Sequence, residues 1–428
     1  MTHWKDRIAV SHFNFMDKAR ARMPMPESVT IYDSTLRDGE QMPGVCFSHD
    51  QKIEIARKLD LAGVPEIEAG FPAVSENERR TIKKIANTGL DARILALTRL
   101  RKEDVEMAAD CDVDIALLFI GTSPLHLEKK LRMTEEDVKA RALECIDHAK
   151  AHGIIPSLSS EDSTRTDIRF LKELAQLAEG AGAKRFGFTD TVGCATSEAI
   201  AYACSELRAS HSLPMSAHLH NDFGLVLPNA VAAVASGAQH ICTTINGWGE
   251  RAGNVPLEQF VMAMEVMYGV RTGVDTTMLT ELSHLVSGFT KIPVARFQPF
   301  VGDNAFRHES GIHVAAMVED ERCYEPVPPE MVGNERRLIL GKHSGRKIVA
   351  RKLQDAGVAV SPRECDRIVK KVKTLGETTG HVDDEAFWEI VKAVTHGKVD
   401  DGREDYEIDE MADASGRPVT GGHREPAL

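Results

Sequence analysis

Residues 217–222, with the sequence AHLHND, are the strongest single indication of how this chain is built. Side chains alternate along a strand, so a strand ending here points His218 and His220 to the same face. The preceding residues 215–217 are apolar or small, and the loop-forming run NDFG follows at 221–224. Both imidazoles therefore lie at the carboxyl end of a buried strand. A shared divalent metal explains this pattern, and so does local hydrogen bonding of two strand-end histidines.

A repeating unit surrounds this stretch along most of the chain. Short apolar runs alternate with polar loops and helix-period segments, about every 25–40 residues. The runs lie at 29–32, 66–69, 93–97, 114–120, 154–158, 185–188, 215–219 and 240–245. Eight such units in about 250 residues predict a (β/α)8 TIM barrel, an α/β fold. A doubly wound open sheet is the alternative, but no Gly-x-Gly-x-x-Gly follows the first run, so nothing favours a dinucleotide site.

The pattern also predicts the domain organisation. Helices are expected at 51–62, 134–152, 167–181, 197–210 and 226–236 in the barrel, and at 346–356, 362–375 and 383–395 after it. A proline-containing linker follows the barrel, and a small helical C-terminal subdomain completes the fold. The predicted segments are an N-terminal arm at 1–27, the barrel at 28–291, a linker subdomain at 292–345, a helical subdomain at 346–396 and a disordered tail at 397–428.

Composition limits the kind of protein this is. The chain has 428 residues, 42% hydrophobic and 27% charged, which is typical of a globular protein. A net charge of −13 argues against a nucleic-acid partner and means that anionic substrates need locally placed arginines. No apolar run has transmembrane length and residues 1–7 carry no signal-peptide pattern, so we expect a cytoplasmic protein without a membrane partner. The eight cysteines form no CxxC pair, as expected of reduced thiols.

Polar side chains follow most of the predicted strands. In a barrel the carboxyl ends of the strands meet at one face, so a carboxylate from another strand can join the two imidazoles in one site. That mixed O/N donor set suits Zn²⁺, Mn²⁺, Mg²⁺ or Co²⁺. Arg37 and Arg99 at the same rim would bind carboxylates bidentately. These polar residues could also have purely structural roles. Asp38 could cap a helix, and Asn254 could be a turn residue.

Five motifs make the chain recognisable over roughly residues 28–395. They are DSTLRDGEQ at 33–41, HLHND at 218–222, GERAGN at 249–254, ESGIH at 309–313 and LGKHSG at 340–345. Together they resemble the 2-isopropylmalate synthase, homocitrate synthase and citramalate synthase family. The resemblance implies a metal-dependent acyltransferase that condenses acetyl-CoA with a 2-oxo acid to give a 2-alkylmalate. Such a Claisen-like condensation needs a Lewis acid, a base and positive charge over the thioester oxygen.

The resemblance also implies roles for individual residues. The metal is held by Asp38, His218 and His220, with Asn254 close by. Arg37 stabilises the developing enolate. It also implies that Thr191 binds a substrate carboxylate. The other expected substrate contacts, which follow predicted strands, are Gln41, Arg99, Ser159 and Glu161. His313 and Tyr324, with Glu309 alongside, reach from the post-barrel segment into the neighbouring subunit's site, so the resemblance implies a domain-swapped homodimer.

The choice of 2-oxo acid follows from finer similarities. Residues 159–165, SSEDSTR, and 190–196, DTVGCAT, are similar to homocitrate synthases, which use 2-oxoglutarate. Lysine-pathway enzymes have an arginine where this chain has Ser157, and residues 309–313 and 332–341 are similar to nitrogen-fixation homocitrate synthases and archaeal isopropylmalate synthases. We therefore expect homocitrate synthesis first, with 2-isopropylmalate or citramalate synthesis as alternatives. A carbon–carbon lyase similar to hydroxymethylglutaryl-CoA lyase, and a non-catalytic barrel, are the other classes considered.

Overall fold

Eight parallel strands form a closed barrel in the computed structural model, which describes residues 2–395. Each strand pairs with the next, and β1 closes the barrel on β8 with Thr30 opposite His240 and Asp33 opposite Thr243. The strands are β1 Thr30–Asp33, β2 Glu66–Gly70, β3 Arg93–Arg99, β4 Ile115–Gly121, β5 Ile155–Glu161, β6 Arg185–Asp190, β7 Met215–Leu219 and β8 His240–Thr243. The predicted (β/α)8 barrel is confirmed, because all eight apolar runs form its strands.

Helices alternate with the strands of the barrel, where they pack on its outside, and further helices follow later in the chain. They are α1 Asp17–Arg20, α2 His49–Leu61, α3 Glu76–Ala86, α4 Lys102–Asp110, α5 Glu135–Ala151, α6 Ile168–Ala181, α7 Ser197–Arg208, α8 Val226–Ala235, α9 Leu257–Met262, α10 Leu279–Thr290, α11 Gly311–Glu319, α12 Arg346–Asp355, α13 Pro362–Thr379 and α14 Asp384–Thr395. Local sequence sets their ends. Ser48 and Gln51 form a capping box at the start of α2, and Gly182 ends α6 in a left-handed conformation with φ 91°.

Short helical turns fill the remaining connections. The 3-10 turns are Thr2–Arg7, His12–Phe15, Gly39–Gln41, Ser163–Arg165, Ile245–Gly247, Thr276–Met278, Glu321–Cys323 and Pro329–Val332, and the π turns are His126–Leu131 and Ala263–Tyr268. The segment predicted as an N-terminal arm contains two of these 3-10 turns and α1.

The apolar core has two layers. The larger one lies between the strands and the outer helices, and residues such as Phe170 and Phe186 are fully buried in it. Burial of each such side chain stabilises the fold by about 2 kcal/mol. A smaller cluster of Tyr32, Leu95, Ile115 and Cys242 fills the barrel interior. These side chains pack inside the ring of strands, so the barrel has a packed interior rather than an open channel.

The chain divides into two compact units between Leu338 and Ile339, inside the segment predicted as linker subdomain 292–345. The first unit contains the barrel, α10, α11 and a two-stranded parallel pairing of β9 Arg307–His308 with β10 Arg337–Leu338. The second contains α12 to α14, the three helices expected there. The predicted disordered tail 397–428 lies outside the described residues. None of the helices within residues 2–395 is long and apolar enough to span a membrane.

Candidate active site

A cavity of about 270 Å³ opens at the carboxyl ends of the barrel strands. Parallel strands bring the residues that follow each of them to this one face, which is where barrel enzymes hold their reactive groups. The lining residues are Tyr32, Arg37, Asp38, Gln41, Leu97, Leu117, Phe119, Ser159, Glu161, Thr189, Thr191, His218, His220, Glu250 and Arg251. Most of the predicted site residues are therefore brought together.

A tight turn after β1 aims Asp38 over the cavity. The backbone N–H groups of Arg37, Asp38 and Gly39 all donate to the carbonyl oxygen of Ser34, at 3.1, 2.8 and 3.0 Å. The N–H of Glu250, from the loop after β8, donates to Asp38 Oδ1 at 3.3 Å. Asp38 Oδ2 faces the cavity and lies 3.1 Å from Nε2 of His218. The turn, rather than a helix cap, thus explains where this carboxylate points.

His218 and His220 share one face, as the period of a strand predicts. Their Nε2 atoms lie 3.1 Å apart, and Nε2 of His220 lies 3.8 Å from Asp38 Oδ2. One potential ligand atom from each of these three residues lies within 4.8 Å of the others. The cluster offers two imidazole nitrogens and a carboxylate oxygen, a donor set that fits a divalent transition ion.

Asn254 completes the cluster from the loop after β8. It forms an isolated antiparallel bridge with His220, and its Nδ2 lies 3.3 Å from Asp38 Oδ2 and 3.4 Å from Nε2 of His218. Its Oδ1 is buried without a hydrogen-bond partner among the described residues. A Cβ at Gly249 would lie 1.8 Å from that oxygen, so glycine is required there for Asn254 to reach the cluster.

Charge and burial favour the metal-binding protonation state of two members of the cluster, Asp38 and His220. Burial alone would raise the pKa of Asp38, but Arg37 and the two imidazoles hold it well below its usual range. Burial, and then the charge of His218, lower the pKa of His220 to about 3. An ionised carboxylate and a neutral imidazole are the forms that ligate a metal. The residues present therefore fit a divalent cation.

Arg37 is fixed beside the cluster by a buried carboxylate. Its Nε and Nη2 donate to the two oxygens of Glu68 at 2.8 and 3.0 Å, and Nη1 lies 3.0 Å from Asp38 Oδ2. Glu68 is fully buried on β2 and also accepts from Ser34 Oγ at 2.5 Å. Burial alone would lower the pKa of Arg37, but Glu68 and Asp38 raise it above its ordinary value. The guanidinium thus stays charged and its orientation is set.

Four other predicted substrate contacts line the cavity. Gln41 Oε1 accepts from Arg37 at 3.3 Å, and Thr191 Oγ1 accepts from the N–H of Asp162 at 2.8 Å. Ser159 faces the cavity from β5, and Glu161 at the end of the same strand pairs with Lys130 Nζ at 2.7 Å. These groups form a polar rim around the apolar wall of Leu97, Leu117 and Phe119.

The remaining predicted residues lie outside the cavity lining. Arg99, expected to bind a carboxylate at the rim, donates through Nε and Nη2 to Asp104 on α4 at 2.7 and 2.9 Å. This bidentate ion pair uses the two guanidinium donors that would otherwise bind a substrate carboxylate. Arg99 is therefore not brought together with the residues that line the cavity. His313 and Tyr324 stack on one another with ring centroids 4.1 Å apart and are exposed. Glu309, which precedes α11, is outside the lining as well.

Sequence reasoning missed two residues that shape the site. The strand pattern assigns no role to Glu68, although a carboxylate in a fully buried strand indicates a charged partner. Arg251 belongs to the GERAGN motif, which gives it no role of its own, yet it lines the cavity and bridges two loops. Its Nη2 donates to the carbonyl oxygen of Thr191 at 2.6 Å, and its Nε donates to Asp222 at 2.9 Å.

The fold and the cluster define a (β/α)8 barrel with a candidate divalent-cation site at its catalytic face. Residues 28–286 match the HMGL-like family model, and residues 300–380 match the model described as homocitrate synthase post-HMGL domain-like. The chain therefore belongs to the HMGL-like family.

Similar proteins support this assignment along nearly the whole chain. The chain is 47% identical to homocitrate synthase AksA of Methanothermobacter thermautotrophicus, over 92% of this chain and 100% of that protein. It is 44% identical to 2-isopropylmalate synthase of Methanocaldococcus jannaschii, over 94% of this chain and 78% of that protein. In structure, it is similar to HMG-CoA lyase of Bacillus subtilis with a TM-score of 0.59 at 20% identity, covering 64% of this chain and 97% of that one. That structural likeness extends to the barrel fold alone.

Proposed function

We propose that this protein is a metal-dependent acyltransferase that condenses acetyl-CoA with a 2-oxo acid, with 2-oxoglutarate as its first candidate substrate and homocitrate as the product. The observation that carries the proposal is the cluster of Asp38, His218 and His220 beside a fixed Arg37. The similarity to homocitrate synthase AksA over almost the full chain supports the choice of reaction.

The chain's own residues supply the parts that the condensation needs. A divalent cation held by Asp38, His218 and His220 would supply Lewis acidity to the 2-oxo acid. The Arg37 guanidinium, oriented by Glu68, donates hydrogen bonds where negative charge develops on the thioester oxygen. Thr191 and Gln41 donate to the carboxylate of the 2-oxo acid at the rim. The native metal could be Zn²⁺, Mn²⁺, Mg²⁺ or Co²⁺, since each accepts this donor set.

The base that removes a proton from the acetyl methyl group comes from the partner subunit of a homodimer. His313 stacks on Tyr324 outside its own cavity, and the adjacent Ile312 has 78% of its surface exposed. Because Ile312 and the stacked pair of His313 and Tyr324 are exposed together, this segment is suited to insert into the cavity of a second copy of the chain. In the partner's site, His313 accepts the proton from the acetyl methyl group. Tyr324 orients the His313 ring, and Glu309 assists from the same segment. The segment from 292 to 345 acts as this crossing arm in a cytoplasmic enzyme.

One observation favours a second candidate substrate within the same reaction. The inner wall of the cavity is apolar, formed by Leu97, Leu117 and Phe119, and the cations among the lining residues are Arg37 and Arg251. At the position where an arginine could hold a distal carboxylate, Ser157 is buried. A branched or short apolar 2-oxo acid, 2-oxoisovalerate or pyruvate, fits that wall, and the product would be 2-isopropylmalate or citramalate.

A thiol-release assay distinguishes these candidates. Purified protein with acetyl-CoA and a divalent metal is given 2-oxoglutarate, 2-oxoisovalerate, pyruvate or oxaloacetate, and kcat/KM is compared. The highest value for 2-oxoglutarate supports homocitrate synthesis, and the highest value for 2-oxoisovalerate or pyruvate supports the second candidate. Thiol release with none of the four contradicts the acyltransferase proposal. Cleavage of hydroxymethylglutaryl-CoA would then favour the lyase class, which the match at residues 300–380 disfavours.

A further inference from the structure

A second group of potential metal ligands lies on the outer surface of the barrel, away from the cavity. It consists of Glu106 on α4 and of His148 and His152 at the end of α5. One potential ligand atom from each residue lies within 4.8 Å of the other two. His148 Nε2 is 3.1 Å from a Glu106 carboxylate oxygen, and the centroids of the two imidazole rings are 4.4 Å apart.

Helix geometry explains why the two histidines meet. Residues at positions i and i+4 of a helix lie one above the other on the same face, so His148 and His152 project toward α4 together. An ion pair between Lys102 on α4 and Glu144 on α5, with Nζ and Oε1 2.7 Å apart, joins the same two helices one turn away. The packing of α4 against α5 thus keeps the side chains of Glu106, His148 and His152 close together.

Hydrogen bonding prepares one of the rings as a ligand. Nδ1 of His152 lies 2.9 Å from the carbonyl oxygen of His148, and a carbonyl can only accept, so Nδ1 carries the proton. The Nε2 lone pair of that ring is then free to bind a metal. A ligating histidine usually donates its other N–H in this way, which fixes its tautomer and orientation.

We propose that Glu106, His148 and His152 form a second divalent-metal site, specific for a transition ion of the Zn²⁺ type. Zn²⁺ binds nitrogen and oxygen at about 2.0–2.2 Å, so its ligand atoms lie about 3–3.5 Å apart. The Glu106 side chain is exposed, so it can adjust its position around an ion without disturbing the core. Two imidazoles exclude Ca²⁺ and Mg²⁺, which take oxygen ligands. The three protein ligands leave the fourth position of a tetrahedral site to water.

Zn²⁺ stoichiometry tests this site in the full-length protein. The chain is stripped with chelator, dialysed against micromolar free Zn²⁺ and analysed for metal and protein. We expect the wild type to bind a second equivalent of Zn²⁺ beyond that of the cavity cluster. His152→Gln and Glu106→Gln should each lose that second equivalent and keep wild-type kcat, because neither residue lines the cavity. His284→Gln, which changes an exposed histidine on α10, is the matched control and should keep both equivalents.

A stability measurement separates this site from the cavity cluster. In a His218→Ala/His220→Ala background, added Zn²⁺ should still raise Tm, because an ion that binds only the folded state stabilises it. Adding His152→Gln should abolish that increase. Equal Zn²⁺ content in the wild type, His152→Gln and Glu106→Gln would overturn the proposal. So would a Zn²⁺-dependent rise in Tm that survives His152→Gln. Neither result depends on whether the enzyme condenses acetyl-CoA.

Discussion

Replacing Glu68 with glutamine tests whether the buried carboxylate behind Arg37 serves catalysis as well as stability. Glu68 is fully buried and accepts three hydrogen bonds, two from Arg37 and one from Ser34. Glutamine keeps one acceptor oxygen and places an NH₂ group against a donor. The variant therefore loses at least one charge-assisted hydrogen bond and the charge that balances Arg37.

The expected magnitude follows from these contacts. A hydrogen bond to a charged group contributes about 1.5–3 kcal/mol, and breaking a buried ion pair costs about 3–5 kcal/mol. Arg37 keeps its contact with Asp38 at 3.0 Å. We therefore expect the free energy of unfolding to fall by about 3 kcal/mol, which is the lower end of the range for a broken buried ion pair. Because the guanidinium is no longer held in one orientation, kcat should fall roughly 100-fold, as when one preorganised donor is removed.

Glu66→Gln is the matched control for this variant. Glu66 lies two residues earlier on the same strand, is equally buried and pairs with Arg185 at 2.6 Å. Urea unfolding should show a similar loss of stability in both variants, while only Glu68→Gln should lose kcat in the thiol-release assay. The reasoning is refuted if Glu68→Gln loses stability as Glu66→Gln does and retains wild-type kcat, since Glu68 would then be structural only.

Three further predictions concern the cluster, the subunit arrangement and pH. His218→Ala or His220→Ala should remove the metal of the cavity cluster and abolish turnover, and unchanged metal content by elemental analysis in both would contradict the ligand assignment. Mixing inactive Arg37→Ala and His313→Ala subunits should restore activity, because one site of the mixed dimer carries neither change; no recovery after exchange confirmed by mass would place His313 in its own chain's site. Burial alone would raise the pKa of Glu66, but His240 and Arg185 lower it from 4.5 to about 2. This contribution of about 3 kcal/mol is full above pH 4.5 and is lost as pH falls toward 2, so the stability difference from Glu66→Gln should shrink over that range in urea titrations.

Periodicity predicted the barrel because it is a property of the backbone repeated eight times. The alternation at His218 and His220 correctly placed both rings on one face, and the strand-end rule brought Asp38 to them. The helical patterns from 346 to 395 correspond to α12, α13 and α14. These features depend on local sequence and on the rule that parallel strands end at one face.

Pairing of long side chains could not be predicted in the same way. Arg99 does end a strand, but Asp104 in the first turn of α4 binds its guanidinium, and the strand pattern does not indicate which neighbour a flexible side chain selects. Glu68 shows the reverse case, since its partner Arg37 is 31 residues away and the parallel pairing of β1 with β2 brings the two side chains together. The role proposed for His313 requires a second subunit, which a single chain's pattern does not describe.

The cavity cluster joins parts of the chain that are far apart in sequence. Asn254 and Asp38 are 216 residues apart and meet only because β1 closes on β8. Closing a loop of this length costs chain entropy before the contact can stabilise the fold, so we expect this contact to form late. A folding intermediate with β5 to β7 assembled would hold both histidines without their carboxylate. Metal binding at this cluster would therefore report that the ring of strands is complete, and stopped-flow metal binding during refolding would time that event.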